Sequence, residues 1–106
     1  MDHILSTIEP REIAPGFMAK FVHSEFMTTS FVEVEAGAKL PLHSHMNEQL
    51  SIITEGKFEM TIDGVTNIYE PGMVVEIPAN VEHEGTALTA CKITDIFYPV
   101  REDFKS

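Results

Sequence analysis

Cysteine occurs once in the 106 residues, as Cys91, so no intrachain disulfide can form and the fold must rest on its core or on a metal. A reducing compartment, the cytoplasm, is the expected location. The opening MDHILSTIEP lacks the basic and apolar regions of a secretory signal, and no run approaches the roughly 18 apolar residues of a membrane span. Cations are also scarce: seven Lys and Arg stand against 17 Asp and Glu, for a formal charge of −10 at pH 7. That excess repels phosphate backbones and anionic lipid headgroups, and no basic cluster offsets it locally. Nucleic-acid and membrane partners are therefore not expected, and small molecules remain.

What is present is an ordinary globular share of apolar residues, 43%, arranged with a period of two from Gly16 onward. Strands are expected over Phe17 to His23, Thr28 to Glu35, Leu40 to His45, Glu48 to Thr54, Lys57 to Ile62, Val65 to Tyr69, Met73 to Ile77, His83 to Thr89 and Cys91 to Tyr98. Asp63-Gly64 is a hairpin signal, and Glu55-Gly56 and Pro71-Gly72 mark two further reversals. So many short strands in so short a chain must close into a barrel or a two-sheet sandwich, because one open sheet would leave an apolar face wet. No repeat or linker divides the chain. A single all-β domain over 1–106 is expected, with a core barrel from about 16 to 98, an arm or edge strand over 1–15 and a tail over 99–106.

Three of the five histidines stand apart. In Pro41-Leu42-His43-Ser44-His45 the two-residue interval puts both imidazoles on one face of an extended segment, where they can converge on one ion. Gln49 can return to that face and offer an amide oxygen, with Glu48 pointing away, although a one-residue slip would exchange the two. The third imidazole, His83, opens a strand after Pro78 and Asn80, the latter tolerant of a left-handed turn. An antiparallel barrel can lay it beside His43 and His45. Neutral N and O donors suit Ni, Zn, Fe or Mn alike, and they leave the ion's charge uncompensated, which favours an anionic substrate. An isolated H-x-H pair is also commonly just two surface or core imidazoles. His3 and His23 receive no role.

Taken together, Gly37-x5-His43-x-His45-x3-Gln49-x6-Gly56 resembles the first cupin motif, and Gly72-x5-Pro78-x-Asn80-x2-His83 resembles the second. Three positions depart from the pattern: Gln49 stands for its Glu, Asn80 for a Gly and Ala87 for its final Asn. The resemblance implies a double-stranded β-helix, or jelly-roll barrel, with a divalent transition metal held by His43, His45, Gln49 and His83. The run HSHMNEQ and the ending from Thr94 to Phe104 are similar to cupins of the pectin-degradation type, which linearise unsaturated uronates. That similarity extends to an Asp-x-Phe-x3-Arg arrangement associated with activity, matched by Asp95, Phe97 and Arg101.

Alternation agrees with part of this, since Cys91, Ile93, Asp95 and Phe97 share one strand face and place a carboxylate among apolar neighbours. If that face points into the barrel, desolvation raises the Asp95 pKa while a nearby metal lowers it. The planar fork of Arg101 suits capture of a substrate carboxylate, and a surface ion pair is its bland alternative. Ser51 and Ile53 share the Gln49 face, whereas Leu50 and Ile52 lie opposite and could cover a homodimer contact. The expected activity is metal-dependent conversion of 4,5-unsaturated monouronates to the linear keto form, an isomerase-type reaction on a small anionic sugar acid. An Fe(II) dioxygenase and a non-catalytic sugar- or ligand-binding cupin are the alternatives.

Overall fold

The computed structural model describes residues 1–105. Among these residues ten strands run in chain order: β1 (Arg11–Ala14), β2 (Phe17–His23), β3 (Thr28–Val34), β4 (Lys39–His43), β5 (Glu48–Glu55), β6 (Phe58–Ile62), β7 (Val65–Tyr69), β8 (Val74–Ile77), β9 (His83–Ala87) and β10 (Cys91–Tyr98). They form a six-stranded sheet, β1-β2-β3-β10-β5-β8, and a four-stranded sheet, β4-β9-β6-β7, every pairing antiparallel. This is the expected two-sheet barrel. The nine expected strands are all present, and the tenth, β1, is the N-terminal arm paired along β2 as an edge. Short 3-10 turns occur at Leu5–Thr7 and Glu102–Phe104, and no helix among the described residues is long and apolar enough to cross a membrane.

Alternation sorts the side chains as a sandwich requires. Phe17, Ala19, Val32, Val34, Ile53, Val75, Ile77 and Ile93 of the larger sheet face Phe58, Met60 and Ala87 of the smaller, and the rings of Phe17 and Phe58 meet edge to face at 6.2 Å. Two turns bear out their signals: Asp63 and Gly64 take φ of 49° and 78°, as a tight hairpin demands, and Asn80 sits at φ 63°.

The register of the three central strands makes one end of the barrel polar. On the inner face Val32, Ile93 and Ile53 lie side by side; one step along come Ser30, Asp95 and Ser51, and one further Thr28, Phe97 and Gln49. An apolar row thus underlies a polar one, with the carboxylate at its centre.

Candidate metal centre and its cavity

His43 closes β4 and His83 opens β9, and the two are direct cross-strand partners. Strand β4 stops at His43, two residues short of the expected end, so His45 is brought in by a bend rather than by strand alternation. That bend is pinned twice: the Asn80 amide donates to the His45 carbonyl at 2.8 Å, and His45 Nδ1 donates to the Asn47 carbonyl at 2.9 Å. The left-handed Asn80 thereby turns the loop between β8 and β9 back over the β4–β5 bend. One ring nitrogen from each of His43, His45 and His83 lies within 4.8 Å of the others.

The identity of those nitrogens follows from their partners. His43 Nδ1 donates to the Pro41 carbonyl at 2.8 Å and His83 Nδ1 to the Val81 carbonyl at 2.9 Å, as His45 does to Asn47. A carbonyl only accepts, so each Nδ1 carries the proton and each Nε2 presents a lone pair. Backbone fixation of Nδ1 is the usual support of a metal-ligating imidazole. Gln49 joins the same group, its Oε1 3.0 Å from His45 Nε2. Four proton-free donors converging inside a barrel fit a divalent transition ion. Burial favours the neutral rings: desolvation pushes the His83 pKa down to about 4, and burial with the nearby Arg101 charge lowers that of His45. Glu48 is exposed while Gln49 is 7% exposed, so the amide, not the adjacent carboxylate, faces the cluster.

Asp95 points inward with Cys91, Ile93 and Phe97. Ser51 Oγ donates to its Oδ1 at 2.6 Å and Ser30 Oγ to its Oδ2 at 3.4 Å. Desolvation raises the Asp95 pKa and outweighs the lowering effects of Ser51, Gln49, Ser30 and Arg101. Phe97 is buried, its ring against His45 at 5.7 Å and beneath the Arg101 guanidinium at 4.8 Å.

Arg101 is not the exposed residue of a loose surface pair, its side chain being 11% exposed. It lies over the Phe104 ring at 4.1 Å, and its Nε and Nη2 donate to Asp103 at 3.0 and 2.8 Å. Side-on pairing of this kind leaves the Nη1 edge for another acceptor. Four contributors receive no role from the sequence: Asp103, Phe104, Asn47, whose Nδ2 donates to the Pro99 carbonyl, and Thr28, whose hydroxyl accepts the Arg101 amide at 2.9 Å. His23, which receives no role from the sequence, contacts that same hydroxyl through Nδ1 at 2.8 Å. The contacts of Asn47 and Thr28 join residues far apart in sequence, so no local pattern announces them.

His43, His45, Gln49, His83, Asp95, Phe97 and Arg101 all line one cavity of about 510 Å³. Phe17, Leu40, Phe58 and Met60 line it too and make part of its wall apolar.

The family described as Cupin domain matches residues 30–97. An RmlC-like cupin from Shewanella frigidimarina NCIMB 400 superposes with a TM-score of 0.90 at 26% identity, covering 96% of this chain and 93% of that one. KdgF from Halomonas sp. gives 0.89 at 24% identity over 97% and 96% of the two chains, a likeness of fold. A curated relative, H2HPP isomerase of Bacillus subtilis, is 30% identical over 64 residues, 59% of this chain, and the match spans 27% of that protein's length. With the matched segment covering most of both motifs and both sheets, the chain belongs to the cupin family.

Proposed function

We propose that the protein is a metal-dependent isomerase that opens the ring of a 4,5-unsaturated monouronate and carries it to the linear keto acid. The observation that supports this most is the shared cavity, in which four proton-free donors, an inward carboxylate and a largely buried guanidinium face one volume. The isomerase-type activity is also in keeping with the name of the partial relative from Bacillus subtilis. A divalent ion on His43, His45, Gln49 and His83 would polarise the substrate's oxygens.

The residues then divide the work. Arg101 takes the substrate carboxylate through the edge that Asp103 leaves open, and Phe97 holds both that guanidinium and the His45 ring in place while lining the pocket. Asp95 accepts the proton of the C1 hydroxyl as the C1–O5 bond breaks, the electron pair passing to O5 to leave an enolate at C5. It returns that same proton to C4 as the enolate becomes the ketone, so the isomerisation leaves no atom over. Oδ2 is the oxygen suited to carry that proton, since Oδ1 already accepts the short bond from Ser51. A carboxyl whose pKa is raised by burial holds a proton more readily than an ordinary aspartate.

The test is the ultraviolet absorbance of the C4=C5 bond in unsaturated galacturonate freshly released by a lyase. The metal-loaded protein should accelerate its loss, and His45→Ala and Asp95→Ala should each lower the rate about 10²–10⁴-fold. Decay no faster than in buffer refutes the substrate; full activity after complete metal removal refutes the role of the ion.

A further inference from the structure

Position 49 carries an amide where the family's motif places a carboxylate, although a carboxylate is the stronger ligand for a divalent cation. A count of protons across β5 and β10 explains the exchange. The Asp95 carboxylate can only accept, and it takes the single Ser51 hydroxyl proton at 2.6 Å. Ser51 Oγ, its proton committed, can only accept in turn, and Gln49 Nε2 donates to it at 2.8 Å. The amide orientation is then determined, and Oε1 is left facing His45 Nε2 at 3.0 Å. Both of those atoms are proton-free, because His45 donates from Nδ1 to Asn47. Two acceptors held this close repel each other unless a cation lies against both.

Gln49 and Ser51 are 7% and 2% exposed, so water is a poor substitute for either partner. A glutamate at 49 would meet a hydroxyl with no proton to give and would set a second negative charge beside Asp95. We infer that Ser51 is a positioning residue: committed to Asp95, it selects an amide at position 49 and turns its oxygen, not its nitrogen, toward the metal. The inference rests on the metal centre underlying the proposed function and concerns a residue that is not itself one of the metal's donors.

Cobalt(II) is a suitable probe, since its visible d–d bands report the number and kind of its ligands. Ser51→Thr keeps the hydroxyl, whereas Ser51→Val has the same shape without it. Titrated into metal-free protein, Co²⁺ should bind the Thr variant within a few-fold of wild type. It should bind the Val variant about 10–100-fold more weakly, the usual effect of losing a group that orients a ligand, with altered d–d bands. Equal affinities and superimposable spectra for the two variants overturn the inference and leave the isomerase reading intact. A wild-type protein that binds no Co²⁺ removes both. Melting curves of the metal-free variants accompany the titrations; should a branched side chain at 51 disturb folding, Ser51→Ala against wild type decides the same comparison.

Discussion

His83 is 2% exposed and tied to the Val81 carbonyl, and its neutrality is built into the fold. Desolvation holds its pKa near 4, against 6.5 for an ordinary imidazole. In the metal-free protein the unfolded chain therefore gains a proton at this residue before the folded one does. Stability is unaffected by His83 above pH 6.5, declines as the pH falls from there towards 4, and declines no further on its account below that. Urea midpoints of metal-free wild type and His83→Gln across this range should show a shallower acid loss in the variant; parallel profiles would contradict it. Much at this scale was legible in the sequence. Motif spacing singled out the three histidines and Gln49, and alternation with Cys91, Ile93 and Phe97 turned Asp95 inward. Asp103 was hidden because an acidic residue in a short polar tail looks like any solvated charge, and its significance appears only when Arg101 folds back over Phe104.

At the scale of elements, β9 shows how tightly the smaller sheet is fitted to the cavity wall. Gly85 lies where a Cβ would run into the Phe58 ring, and Phe58 in turn packs edge-on against Phe17 across the barrel. Gly85→Ala should destabilise the protein by about 1–3 kcal/mol, the ordinary cost of overpacking a filled interior. Denaturant melts give the number, and an unchanged midpoint would mean that Phe58 yields freely. The strands themselves were readable from period and turn chemistry, with ends within a residue or two. β4 is the informative exception. Its pattern runs on through His45, but the pairing with β9 ends at His43, and the chain bends under restraint from Asn80, on a loop 35 residues away in sequence. No local pattern encodes a strand end imposed from that distance.

For the whole molecule, the charge of −10 and the metal centre bear on each other. Neutral donors would leave a divalent ion's two positive charges in place, so loading the site would lower the overall charge magnitude and tie β4, β5 and β9, from both sheets, to one point. A metal that binds the folded chain alone at 100 times its dissociation constant adds about 2.7 kcal/mol of stability. Chelator should accordingly lower the melting temperature, and one added equivalent of Ni²⁺ or Zn²⁺ should restore it. A melt indifferent to chelator in metal-loaded protein would show that the cluster does not hold its ion against competition. The barrel was legible at this scale because nine short alternating runs admit few other solutions. Sheet order was not, since the pattern of one strand does not reveal its neighbours.

That order has a consequence for how the chain is made. β10 lies between β3 and β5, so it joins two portions of the larger sheet that otherwise share no hydrogen-bonded strand. On the ribosome every earlier strand emerges while this gap is open, with the facing edges of β3 and β5 bare and available for wrong partners. The polar row around Asp95 cannot exist until the gap is filled. The nascent polypeptide must wait for β10 before the histidine cluster and the carboxylate can share one cavity.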